Sequence, residues 1–107
     1  MAWTVETLGP LVDAEIDDLP PDMRARLVRY STLIERFGLA SLPPAAFKHL
    51  ENRLWELRLT GRDGIARAIY LTASGQRVVI VRVFVKKTQK TPPGELEVAR
   101  QRAKEIK

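Results

Sequence analysis

Residues 54–86 read LWELRLTGRDGIARAIYLTASGQRVVIVRVFVK, and the fold turns on this stretch. Leu54 to Leu59 alternates, with Trp55, Leu57 and Leu59 on one face and Glu56 and Arg58 on the other, the two-residue period of a half-buried strand. Thr60 to Gly64 is a turn, with Asp63-Gly64 as a common hairpin dipeptide. Ile65 to Thr72 is the next strand, Ala73 to Gln76 turns the chain again, and Arg77 to Lys86 is the longest strand. In that last strand Val79, Val81, Val83 and Val85 fall on one face, with Val78, Ile80, Arg82, Phe84 and Lys86 on the other. The all-valine face is the expected core face, and the opposite face is expected to be partly exposed and charged.

A meander with one buried face needs a cover, and the first half of the chain supplies it. Trp3 to Thr7 reads as a short strand. Pro10 suits the first turn of a helix carrying Val12, Ile16 and Leu19 on one side. Pro20 and Pro21 stop that helix and start another, in which Met23, Leu27, Tyr30, Ile34 and Phe37 recur at helical spacing up to Gly38. After Lys86 comes the basic segment KKTQK (86–90). Thr91 is then a candidate N-cap and Pro92 a first helical residue, followed by a stripe of Leu96, Ala99, Ala103 and Ile106. The order predicts an α+β fold: an N-terminal strand, a helical hairpin packed on a largely antiparallel sheet, and a C-terminal helix.

At 107 residues the chain suits a single domain, residues 1–107, and its 45% apolar and 29% charged content is that of a globular protein. Without cysteine, disulfides, thiolate metal sites and thiol nucleophiles are excluded, and His49 alone makes no histidine metal cluster. No metal or other cofactor is expected. MAWTVETLGP has no leader-like pattern, and no apolar run reaches the roughly 20 residues that span a bilayer, so the expected location is the cytoplasm, with no membrane partner. Net charge is +5, unevenly spread. Residues 1–57 hold 6 basic and 9 acidic side chains, whereas residues 58–107 hold 12 and 4. Such asymmetry points to a polyanion, nucleic acid first, because lysine and arginine neutralise phosphate.

The strand parity puts Glu56 and Arg58 on the non-core face, with Arg67 expected beside them across the hairpin, and Lys86 leaving the strand end on that face. Lys87, Thr88, Gln89 and Lys90 follow in the loop. Together they would rim a shallow surface with cations for phosphate, polar groups for base edges or ribose, and Phe84 or Tyr70 for stacking. The plainer alternatives are a solvated Arg58 paired with Glu56, and loop lysines that keep a valine-rich strand soluble. No nucleophile set is visible, since Ser31, Ser41 and Ser74 have no nearby histidine. RNA cleavage by the substrate's own 2′-OH remains open, with arginine stabilising charge and a shifted lysine, or Glu56, moving protons.

The run LWELRL (54–59), a glycine turn, IARAIYL (65–71), VVIVRVFVKKTQKTP (78–92) and the closing ELEVARQRAKEI resembles the RelE/ParE superfamily, within it the HigB-like, phage-derived branch. The resemblance implies a RelE-like fold and a small cytoplasmic toxin held by a cognate helix-turn-helix antitoxin of the HigA type. RelE-like members cut mRNA in the ribosomal A site with basic side chains of the central strands and of the loop before the last helix. By position this makes Arg58, Arg67, Lys87 and Lys90 the expected catalytic residues. Lys86, Thr88, Gln89, Arg82, Phe84 and Glu56 become expected RNA contacts. Two departures stand out: Glu56 occupies a position where RelE has a lysine, and the last helix lacks the C-terminal tyrosine that RelE uses. The alternative within the superfamily is a ParE-like protein that inhibits DNA gyrase by binding it, without chemistry of its own.

Overall fold

The computed structural model describes residues 2–86 and 91–106. In order they form β1 (Thr4–Thr7), α1 (Pro10–Asp17), α2 (Pro21–Phe37), two short 3-10 turns at Leu39–Ser41 and Pro44–Ala46, β2 (Phe47–Glu51), β3 (Leu54–Gly61), β4 (Gly64–Ala73), β5 (Arg77–Lys86) and α3 (Pro93–Ala103). The strands make one sheet ordered β1-β5-β4-β3-β2. β1 runs parallel to β5, and the remaining neighbours are antiparallel. This is the expected α+β, RelE-like arrangement with one strand more than the sequence reading contained. β2 lies in FKHLE, five residues of mixed polarity that pair with β3 through a bulge between His49 and Glu51. So short and charged an edge strand leaves little periodic signal.

α2 forms where its stripe predicts. Met23, Leu27, Tyr30 and Ile34 are buried, and Gly38, at φ 90°, ends the helix in a conformation that side chains resist. Phe37 departs from the stripe: it is 70% exposed at the helix end. With Val12 and Leu19, the α2 residues cover Leu57, Leu59, Ala66, Ala68 and Tyr70 of the sheet.

The strand β5 corrects the sequence reading. Tyr70 pairs with Ile80 and Ile69 with Arg82, so Val81 is the extra residue of a β-bulge. The bulge inverts the alternation: Val78, Ile80 and Val83 face the helical hairpin, while Val79, Val81 and Phe84 face the other way. The predicted all-valine face therefore does not exist, and the sheet buries both sides. On the second side α3 and the turn after it pack with Leu96, Ala99, Ala103 and Ile106 against Leu54, Ile69, Leu71 and Val79. α3 also starts one residue later than expected. Pro92 is its cap and Pro93 its first residue, which leaves the Thr91 side chain for another partner.

β1 accompanies β5 only as far as Ile80. Beyond it, side chains take over the strand edge. Val83 N–H donates to Glu15 Oε1 at 3.0 Å, and Arg102 Nη1 donates to the Val81 carbonyl at 2.8 Å. Arg82 ties the same cluster together, 2.6 Å from Glu15 and 2.8 Å from Glu95. One carboxylate of α1 thus joins β5 to α3.

The β3–β4 turn is held against α2 just as tightly. Asp22 accepts the Arg62 N–H at 2.6 Å, which holds its carboxyl below the usual range. A Cβ on Gly61 would come within 2.8 Å of Asp22 Oδ2 and Met23 Cγ. Gly61→Ala is therefore expected to destabilise the fold by about 1–3 kcal/mol through overpacking. Urea denaturation checks this, and an unchanged midpoint would contradict the close approach.

Candidate active site

The sheet face under the start of α3 collects the charged residues. Arg58 of β3 is the direct partner of Arg67 of β4, and Arg67 is the partner of Phe84 of β5. Directly opposed residues in antiparallel strands share a face, so Arg67 stands beside Arg58 as the sequence suggested. Ile65 pairs with Lys86, and Lys48 of β2 pairs with Glu56. Lys48, Glu56, Arg58, Arg67, Arg82, Phe84 and Lys86 therefore occupy one side of four adjacent strands.

Glu56 and Arg67 form the floor. They are diagonal neighbours, joined by a 2.8 Å ion pair from Arg67 Nη1 to Glu56 Oε1, and are only 1% and 2% exposed. Thr91, freed from capping α3, approaches the other carboxylate oxygen, its Oγ1 donating to Glu56 Oε2 at 3.4 Å. Lys86 is 5% exposed and lies in the same field. Burial pulls its amine below the ordinary lysine range, and the charges of Arg67, Arg58 and Lys48 pull the same way while Glu56 opposes them. Arg58 is half-buried, and its Nε is buried without a hydrogen-bond partner among the described residues. The result is a rim of Arg58 and Lys86 over a neutralised Glu56–Arg67 base: a place for an anion with a proton-carrying amine beside it.

Other expected site residues lie elsewhere. Arg82 shares the face, but its guanidinium is engaged by Glu15 and Glu95. Neither expected stacking ring is presented. Phe84 is 8% exposed under α3, and Tyr70 is fully buried on the hairpin side, where burial pushes its hydroxyl up to about 12. Lys87, Thr88, Gln89 and Lys90 fall outside the described residues. Lys48 was missed in the sequence because β2 was missed; its offset from Phe47 and His49 was the available signal. Among the described residues, no three His, Asp or Glu side chains are grouped to hold a metal.

A mixed five-stranded sheet with a cationic patch beneath the start of a C-terminal helix defines a class of small α+β proteins. The chain belongs to the phage-derived Gp49-like protein family, which matches residues 14–104, and so to the HigB-like branch of the RelE/ParE superfamily. It is similar to the probable endoribonuclease HigB1 of Mycobacterium tuberculosis, in strains CDC 1551 and H37Rv. Identity is 30% over 95 residues, covering 89% of this chain and 73% of the relative.

Proposed function

We propose that the chain is the toxin of a type II toxin–antitoxin pair and a ribosome-dependent endoribonuclease that cuts mRNA in the A site. The observation that carries this reading is the Arg58 and Lys86 rim, with an unused buried donor on Arg58 next to a lysine whose proton is loosened. The family, and the similarity to a relative named as a probable endoribonuclease, support it from a separate direction.

The chemistry suited to these groups needs no metal. A base takes the proton from the 2′-OH, and the 2′-oxygen bonds to phosphorus. The bond from phosphorus to the 5′-oxygen then breaks, and that oxygen takes up a proton. The products are a 2′,3′-cyclic phosphate and a 5′-hydroxyl. Arg58, always protonated, stabilises charge growing on the phosphoryl oxygens. Lys86 moves a proton, and Arg67 acts from below by holding Glu56. Lys87 and Lys90 are candidates for the second proton transfer, while Thr88 and Gln89 would contact ribose or base edges. The partner is a HigA-like helix-turn-helix antitoxin, and the place of action is the cytoplasm. No helix among the described residues is long and apolar enough to cross a membrane.

Primer extension on a defined mRNA tests the reading, with and without translating ribosomes. New 5′ ends within coding sequence only during translation are the expected result. Ends formed without ribosomes would keep the nuclease and remove the A-site requirement. No cleavage in either case, together with blocked supercoiling by gyrase, would replace it with ParE-like inhibition.

A further inference from the structure

We infer that Lys48 binds the RNA phosphate next to the scissile one. This rests on the ribonuclease reading and extends its site to β2, at the edge of the sheet. Register places Lys48 directly opposite Glu56, and directly opposed residues share a face. Lys48 therefore projects on the same side of the sheet as Arg58, which follows Glu56 by two residues along β3. Glu56 does not take it up. That carboxylate is 1% exposed and ion-paired with Arg67 at 2.8 Å. Lys48 is exposed and, among the described residues, has no ion-pair partner. An ammonium is thus held in solvent on the charged face, with the carboxylate opposite it already engaged.

α3 decides which part of that face RNA can reach. It packs over the corner that holds Leu54, Ile69, Leu71 and Phe84. The exposed and half-exposed residues left beside it run obliquely across the strands: Lys48 on β2, Arg58 on β3, then Thr60 and its partner Ile65. Diagonal neighbours on adjacent antiparallel strands, as Lys48 and Arg58 are, lie about 7–8 Å apart. Arg58 holds the scissile phosphate in the proposed reaction, so an RNA strand lying along this strip brings its next phosphate to Lys48. Contacts of that kind fix register and add affinity, and they carry no chemistry. A lysine on an edge strand also discourages pairing with other chains, a role that leaves RNA binding untouched.

Lys48→Met in the full chain separates the two roles. Binding of a fluorescein-labelled single-stranded RNA, followed by anisotropy across a salt series, should weaken by roughly twofold to fivefold, the size of one exposed charge pair. The slope of log affinity against log salt should become shallower by about 0.7, the value for one phosphate on a single strand. Lys48→Arg should restore both. In single-turnover cleavage of ribosome-bound mRNA, Lys48→Met should raise the half-saturating concentration and leave the maximal rate near that of wild type. A neutral methylphosphonate, built in beside a 2′-O-methyl ribose, should weaken wild-type binding at one of the phosphates flanking the cut. At that same phosphate it should add nothing to the loss in Lys48→Met.

Unchanged affinity and salt slope in folded Lys48→Met would overturn the proposal and leave Lys48 as a guard on the strand edge. So would a lower maximal rate with the half-saturating concentration unmoved, since that loss belongs to the scissile phosphate itself. Wild-type protein whose RNA binding responds as expected but which cuts no mRNA would sink the nuclease reading and leave the phosphate contact standing. RNA that the wild type does not hold in either setting would overturn both.

Discussion

Lys86→Met is expected to slow single-turnover mRNA cleavage by about 10²–10⁴-fold, the range for losing a positioned proton carrier, while the protein stays folded. Methionine fills the space of the buried lysine stem, so a variant that stays folded separates lost chemistry from lost packing. Arg58→Met is expected to cost about 10²–10³-fold, as for loss of one donor to a developing oxyanion. The double variant should fall well short of the product of the two losses, because groups that act on one phosphate act as a unit. Rates for folded Lys86→Met within threefold of wild type would remove Lys86 from the chemistry.

Arg67→Met carries the largest expected cost in stability. It leaves Glu56 as a buried carboxylate without its 2.8 Å partner, a change that costs about 3–5 kcal/mol when one half of a buried pair is removed. Removing both halves, with Glu56→Leu and Arg67→Met, replaces the pair by apolar residues of similar volume. That variant is expected to recover most of the loss, since a buried ion pair contributes little net stability over a packed apolar pair. Its cleavage should stay impaired, because an apolar floor no longer holds the Arg67 guanidinium beside Arg58 on the charged face. Guanidinium unfolding of the three variants checks this, and a double variant as unstable as Arg67→Met would show that the pair does more than neutralise itself.

The residues that were legible in the sequence are those whose neighbours share one period. Glu56 and Arg58 fell on their face because Trp55, Leu57 and Leu59 alternate without interruption, and the short β3–β4 turn carried that parity to Arg67. The α2 stripe was equally plain. Val81 was not, because valine and isoleucine satisfy either face of a sheet buried on both, so the inserted residue leaves no mark in composition. That one position accounts for the wrong faces given to Val78, Val79, Ile80 and Val81, while Val83, beyond the bulge, lies on the hairpin side as expected. Burial of Phe84 was hidden for a different reason. It depends on where α3 lands, which lies far along the chain and is set by tertiary packing. The engagement of Arg82 by Glu15 and Glu95 was equally invisible, since Glu15 belongs to the hairpin's first helix.

The side chains along the upper half of β5 have a consequence for colloidal behaviour. An open strand flank is a template for a second copy of the same chain. Here the Val83 N–H and the Val81 carbonyl already have partners in Glu15 and Arg102. These are charged groups drawn from opposite ends of the polypeptide, so dispersal in solution depends on a closure that neither end makes alone. Glu15→Gln should loosen that closure, and light scattering should then record self-association that grows with concentration and is absent from the parent chain.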